Sequence, residues 1–300
     1  MRIAVTGKHG QLAQALSEVG PGMGVTIVPL GRPELDLAQP ATVEAALFAA
    51  HPDVIVSAAA YTAVDRAEGE PDLAFAVNAA GAGAVAQAAA DLHIPVIHIS
   101  TDYVFAGDKS TPYVEDDPTG PLSVYGHSKL VGEQRVAAAA ANHVILRTSW
   151  VYSPFGSNFL RTMLRLAESR DTLRVVADQY GSPTSALDIA DAVIRIAERL
   201  KADADPKLRG IFHFSAGGVT NWADFAREIF NGVKEGTGKC ITVEAITTAE
   251  YPTAALRPAN SKLESKKLAR LYGISAPDWR ASAQVVLDRV LKGKQKGTGT

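Results

Sequence analysis

A chain of 300 residues, 47% hydrophobic and 21% charged, carries enough apolar material for one large or two modest domains with a substantial core, which excludes general disorder. A formal net charge of −2 offers no broad positive field for a phosphate backbone, so nucleic acid is not expected as a partner, while a local basic site for one small anion stays open. Cys240 is the only cysteine, which rules out an intramolecular disulfide or a cysteine metal cage and points to a reducing compartment.

The chain opens with an apolar strand, Ile3 to Thr6, too short for a signal-peptide core, and no stretch approaches the roughly twenty apolar residues of a membrane span. No membrane partner and a cytoplasmic location are therefore expected. Further strands are predicted at Val25 to Leu30, Val54 to Ser57, Val96 to Ser100 and Val144 to Thr148. Between them lie helices near Gln11 to Val19, Thr42 to Ala50, Pro71 to Ala90 and Tyr125 to Ala141, each long enough for a right-handed crossover. The fold class expected is α/β: a doubly wound, Rossmann-type parallel sheet, whose ligands bind at the carboxyl ends of its strands.

After Thr148 the rhythm changes. A loop from Trp150 to Asn158 leads to a helix at Phe159 to Ser169, a strand at Leu173 to Ala177 and a turn-rich run at Asp178 to Thr184. Helices (Leu187 to Leu200, Trp222 to Lys234, Ser261 to Leu271, Trp279 to Leu291) then alternate with strands at Ile211 to Ser215 and Ile241 to Ile246. The expectation is a cofactor-binding domain over 1–149, with parts of 173–215 returning to it, a smaller and partly interleaved α/β substrate lobe over 150–292, and a disordered tail over 293–300.

Four features carry chemistry. Gly7-x-x-Gly10-x-x-Ala13 follows the first strand and opens the first helix; its glycines allow a tight turn and a close approach to a pyrophosphate, which the helix N-terminus would hold. Where an acidic residue would hold the ribose 2′-hydroxyl of NAD, Leu30-Gly31-Arg32 places a guanidinium suited to a 2′-phosphate, which favours NADP; a solvated arginine before Pro33 is the competing reading. Ser100-Thr101-Asp102 closes the fourth strand, and Tyr125 and Lys129 lie four apart on one helix face. A lysine ammonium approaching a phenol favours phenolate, bringing Tyr125 toward proton exchange at neutral pH, and the Thr101 hydroxyl could serve the same carbonyl oxygen. Together these elements predict a nicotinamide-dependent carbonyl reductase.

The runs Gly-Lys-x-Gly-Gln at Gly7 to Gln11, Ala-Ala-x-Thr-Ala-Val-Asp at Ala59 to Asp65, Ser-Thr-Asp-Tyr-Val-Phe at Ser100 to Phe105 and Val-Tyr-Gly-x-x-Lys at Val124 to Lys129 resemble the extended short-chain dehydrogenases/reductases. Arg147 to Tyr152, Asp178 to Thr184, Arg257 to Ser261 and Pro277 to Trp279 narrow the resemblance to the dTDP-4-dehydrorhamnose reductases. That family reduces the C4 keto group of dTDP-4-dehydro-L-rhamnose with NADPH or NADH, the last step in making dTDP-L-rhamnose. The resemblance implies NADPH as cofactor, with NADH also accepted, and a nucleotide-sugar substrate. It implies Tyr125 as proton donor, Lys129 as its activator and ribose ligand, and Thr101 as the third catalytic group. Cofactor contacts would come from Gly7, Gly10, Gln11, Leu12, Arg32, Asp36, Leu37, Ala60, Tyr61, Thr62 and Ile99 as well as from Tyr125 and Lys129. Thr101, Asp102, Tyr103, Tyr125 and Trp150 would contact the sugar, although Trp150 also suits a core position.

Dehydratases of the superfamily follow Thr-Asp with a glutamate base where this chain has Tyr103, which argues against elimination chemistry. Two alternatives remain: a reductase or epimerase for another nucleotide-linked ketosugar, and a catalytically idle NADP-binding regulatory subunit, against which the intact Thr101, Tyr125 and Lys129 argue. Some family members dimerise through magnesium held by glutamates. The matching positions here are Ala15, Leu187 and Arg289, with Asp188 and Asp288 beside them; since magnesium wants anionic oxygens, no metal is expected, and the chain should be a monomer or a weak homodimer.

Overall fold

The computed structural model of the chain describes residues 1–297. The first half runs β1 (Arg2–Thr6), α1 (Gln11–Gly22), β2 (Thr26–Leu30), α2 (Pro40–Ala50), β3 (Val54–Ser57), α3 (Val64–Ala67), α4 (Pro71–Phe75), α5 (Ala82–Asp91), β4 (Val96–Thr101), α6 (Val124–Ala139) and β5 (His143–Thr148). The second half continues through β6 (Val151–Tyr152), α7 (Phe159–Leu166), β7 (Thr172–Val176), β8 (Tyr180–Gly181), β9 (Thr184–Ser185), α8 (Ala186–Ala202), β10 (Gly210–His213), β11 (Thr220–Asn221), α9 (Trp222–Thr237), β12 (Thr242–Ile246), α10 (Lys266–Tyr272) and α11 (Trp279–Gly297).

Six strands form one parallel sheet in the order β10-β5-β4-β3-β1-β2. All four residues of β3 are buried, as expected for a central strand covered on both faces. One face packs with Leu16 of α1 and Ile189, Val193 and Ile196 of α8. The other packs with Leu47 of α2, Val85 and Ala89 of α5 and Val136 of α6. Each such fully buried Val, Leu or Ile contributes roughly 1.5–3 kcal/mol. The chain moves outward from β1 to β2 and then returns to β3 on the opposite side of β1, so a crevice opens at the carboxyl ends of β1 and β3.

Residues 71–91 form one helical stretch with a wide π turn at Ala76–Gly81 between α4 and α5. Contrary to the sequence-based expectation, Pro71–Asp91 is long and apolar enough, by length and composition, to cross a membrane. Half of it is buried inside the protein, where it forms a layer against the sheet.

A second core gathers Leu160, Leu164, Phe225, Ile229, Trp279 and Leu287 around the parallel pair β7–β12, with α9 leading directly into β12. Leu187 packs against both this core and the first. A helix was expected over Ser261 to Leu271, and only Lys266–Tyr272 forms one. Asn260 explains the difference. Its side-chain amide donates to the carbonyls of Lys109 (2.5 Å) and Thr111 (2.9 Å), and Lys262 N–H donates back to its Oδ1, which holds the segment extended. The last helix runs through Gly297, and the remainder of the expected tail, 298–300, lies outside the described residues.

Candidate active site

The turn after β1 leaves backbone donors open at a helix start. Gly7 has φ +98°, a left-handed conformation that disfavours any side chain, and its N–H donates to Leu30 at the end of β2 (2.6 Å). Helix α1 begins at Gly10 without a side-chain cap and without an acidic residue in its first turn. By contrast α6, α7, α8 and α9 are capped by Ser123, Asn158, Ser185 and Asn221. The first N–H groups of a helix have no partner within it, and a Cβ built at Gly10 would meet nothing within 4 Å. Bare donors, a helix dipole and open space above Gly10 fit a pyrophosphate.

Around this turn, the other residues expected at the cofactor divide by how they are held. The Gln11 side chain is already engaged: its Oε1 accepts from Ser153 Oγ (2.7 Å) and Asn158 Nδ2 (3.0 Å), which ties α1 to the loop after β6 and leaves its backbone N–H for a ligand. Leu12 and Leu37 are buried, and Asp36 Oδ1 accepts from the Ala38 N–H (3.0 Å), so these shape the wall through backbone and apolar surface. Arg32 is exposed and makes no ion pair or hydrogen bond with the described residues, while the neighbouring Lys8 pairs with Glu34. Ala60 and Tyr61 are half-buried, and Thr62 is exposed. Their loop is clamped by Asn78 from the π turn, which accepts from Tyr61 N–H (2.7 Å) and donates to Tyr61 O (3.1 Å) and Ser128 Oγ (2.9 Å) on α6. Sequence reasoning missed this role. The available signal was an amide in an otherwise apolar run.

At the end of β4 the structure brings Thr101, Asp102, Tyr103 and Tyr125 together. The Thr101 hydroxyl donates to Asp102 Oδ1 (2.9 Å) and accepts from Tyr103 N–H (3.2 Å), and the rings of Tyr103 and Tyr125 meet edge to face at 5.6 Å. Asp102 Oδ2 is buried without a hydrogen-bond partner, although Ser261 lies close enough to ease its charge. Burial pushes the Asp102 carboxyl up to about 6. Burial also raises the Tyr125 phenol, with the charge of Asp102 adding to the rise and the Thr101 hydroxyl tempering it. The expected lowering by Lys129 is not seen. The Lys129 ammonium is turned to the sheet, donating to Ile99 O (2.7 Å) and lying 3.3 Å from His98 Nε2, and burial brings it down to about 8. Tyr125 is thereby held as a neutral phenol, the form that gives up a proton.

Trp150 lies two residues beyond Thr148, the β5 partner of Thr101, and has φ +50°, unusual for a side chain of its size. Its ring stacks on Trp222 (centroids 3.6 Å, 9° between planes), and the Trp222 indole N–H donates to Gln179 (3.2 Å). A Cβ at Gly181 would stand 2.6 Å from the Trp150 ring, so only glycine leaves room for it. Arg257, from the second half, reaches across to Asp65 (2.6 Å) and Tyr103 (3.4 Å). Of the positions weighed for a metal, Arg289 forms a two-pronged pair with Glu18 of α1, Ala15 is buried, and Asp188 accepts from Ser282 (2.6 Å). Among the described residues no group of three or more His, Cys, Asp or Glu could hold a metal ion.

The family model of the RmlD substrate binding domain matches residues 1–292. A dTDP-4-dehydrorhamnose reductase of Sinorhizobium fredii is 56% identical over 296 residues, covering 98% of this chain and 99% of its own. Crystal structures of two similar proteins share the fold. One is a dTDP-4-dehydrorhamnose reductase of Clostridium acetobutylicum, with TM-score 0.89 and 36% identity over 97% of this chain and 99% of that one. The other is a dTDP-4-dehydrorhamnose reductase of Bacillus anthracis in complex with NADP, with TM-score 0.89 and 35% identity over 96% and 99%. UDP-glucose 4-epimerases are also similar in fold, at 19% identity or less. With the family model and its relatives aligned almost end to end, the chain belongs to the dTDP-4-dehydrorhamnose reductase family.

Proposed function

We propose that the protein reduces the C4 keto group of dTDP-4-dehydro-L-rhamnose with NADPH, giving dTDP-L-rhamnose, the last step of dTDP-rhamnose biosynthesis in the cytoplasm. The observation that carries this reading is the meeting of Thr101 with the phenol of Tyr125 at the carboxyl end of β4, on the same edge of the sheet as the uncapped N-terminus of α1.

When bound, NADPH would supply the hydride; the backbone N–H groups of Gly10, Gln11 and Leu12 would hold its pyrophosphate and Arg32 its 2′-phosphate. The protein supplies the proton. Tyr125 gives its phenolic hydrogen to the oxygen that becomes the new hydroxyl, and Lys129, whose ammonium is turned to Ile99 O and His98, would serve by holding the nicotinamide ribose with its remaining N–H. Thr101 holds the carbonyl oxygen against Tyr125. Its own hydrogen is directed to Asp102 while Asp102 is ionised, so the pair must rearrange, or Asp102 must take a proton, before Thr101 can donate to substrate. Trp150 would contact the hexose from a place fixed by its stack on Trp222. Asn78 holds the Tyr61 loop and, through Ser128, the first turn of α6 against each other.

A coupled assay starting from dTDP-glucose with the upstream dehydratase and epimerase tests the assignment. NADPH loss with dTDP-L-rhamnose as product is expected. NADPH loss with a different sugar would redirect the specificity, and binding of NADPH without turnover would favour the idle relative.

A further inference from the structure

His98 is buried in β4, on the face that the strand turns toward α6, and the mechanism above gives it no part. Its Nε2 lies 3.3 Å from the Lys129 ammonium and its Nδ1 3.1 Å from Ser57 Oγ on the neighbouring β3. An ammonium can only donate, so the nitrogen facing it must present a lone pair, and the ring proton sits on Nδ1 and points to Ser57. The second fixed partner of Lys129 is the carbonyl of Ile99, at 2.7 Å.

Resting on the reading of Lys129 given above, we propose that His98 is a positioning residue for that lysine. Its Nε2 lone pair and the Ile99 carbonyl hold two of the three ammonium N–H bonds and leave one for a ligand. A lysine side chain has four rotatable bonds and a freely turning head, so two acceptors at fixed places in one strand convert a flexible point charge into an oriented donor. The groups around His98 suit this role. Lys129 of α6 and, more weakly, His143 of β5 set their charge against protonation of the ring, and burial adds the larger part, so His98 stays neutral and keeps its lone pair. Glu133, one turn along α6 from Lys129, favours the ammonium form of the lysine. Ser57 supplies the partner that selects the tautomer.

The test uses the full-length enzyme with NADPH and the ketosugar, comparing His98→Phe, His98→Gln and Lys129→Met across pH. Removing an acceptor from an ammonium costs a charge-assisted hydrogen bond, so His98→Phe should lower kcat by roughly 10-fold or more and move the basic limb of its pH profile to lower pH. His98→Gln, whose amide oxygen can accept from the same ammonium, should recover most of both. A fold defect alone would reduce the amount of active enzyme without moving the pH limb. Independently of any variant that fails to fold, nitrogen NMR of the wild-type protein should show the His98 ring as the Nδ1–H tautomer between pH 6 and 9. A His98→Phe enzyme with the wild-type kcat and pH limb, a Gln variant no better than Phe, or an Nε2–H or imidazolium ring in that range would overturn the inference. If Lys129→Met keeps full turnover, the catalytic reading of Lys129 falls and this inference with it; if Lys129→Met is inactive while His98→Phe behaves as wild type, only the inference falls.

Discussion

Two polar clusters grow from the same pair of elements, β4 and α6, and they balance their charges differently. Ser100 turns to α6, where its hydroxyl donates to Glu133 Oε1 (2.5 Å), and Glu133 in turn receives Nε (2.9 Å) and Nη2 (2.7 Å) of Arg147 from β5. Both charged side chains of this pair are 3% exposed. One residue further along, Thr101 turns the other way into the crevice, beside Asp102 with an unpartnered oxygen and Tyr125 with its raised phenol. Consecutive strand residues point to opposite faces, so one register places a structural network and a chemical one side by side. The first pairs its charges with each other, although Arg147 Nη1 finds no hydrogen bond among the described residues. The second buries a carboxyl with no counter-charge bonded to it.

Glu133→Ala should give the largest effect, because it leaves Arg147 buried without its counter-charge: a loss of about 3–5 kcal/mol in denaturant unfolding. A stability loss below about 1 kcal/mol would show that the paired network is not what holds β4, β5 and α6 together. Tyr125→Phe attacks the other cluster. It keeps the ring and removes the proton, so NADPH binding should survive while turnover drops by roughly 10²-fold or more, and near-normal activity would remove Tyr125 from the mechanism.

Asp102 sharpens the contrast through pH. Its folded value, about 6, stands above the unfolded value of 3.8. The folded state therefore binds the proton more tightly, and the stability linked to that proton is fully present below about pH 4 and lost as pH rises through about 6. Asp102→Asn, neutral at every pH, should thus gain on the wild type by on the order of 1–3 kcal/mol between pH 4 and pH 8 in paired unfolding curves. A pH-independent difference would mean that the carboxylate is better compensated than its unpartnered oxygen indicates. On the surface the same distinction separates Arg32, which has no partner among the described residues, from Lys8, which is paired. Arg32→Ala should raise KM for NADPH by about 10-fold, the loss of one charge-assisted contact, and leave NADH nearly unchanged; equal effects on both cofactors would make Arg32 structural. The smallest effect is expected where every charge is used. With Arg289 paired to Glu18 and Asp188 bonded to Ser282, EDTA should change neither activity nor the mass seen by light scattering, and a dimer split by EDTA would contradict this.

The sequence by itself determined the order of strands and crossovers, because β-branched runs alternate with helical periods, and it located the glycine turn and the Thr101, Tyr125 and Lys129 trio, because each needs a particular residue type at a particular element end. The family resemblance named Ala15, Leu187 and Arg289 as the positions to weigh for a metal, and side-chain chemistry argued against one there. The direction of each functional group was settled only in three dimensions. Four-residue spacing brings Lys129 under Tyr125, yet spacing cannot show that Ile99 O and His98 draw the ammonium toward the sheet, nor that burial and Asp102 raise the phenol where a lone cation would lower it. The extended path around Asn260, the clamp of Asn78 on the Tyr61 loop and the Trp150–Trp222 stack likewise join residues far apart in the chain. Local periodicity reports what a segment can bury. Partners supplied by other segments decide where a buried polar group points, because in a low-dielectric interior it must find a hydrogen bond wherever the fold provides one.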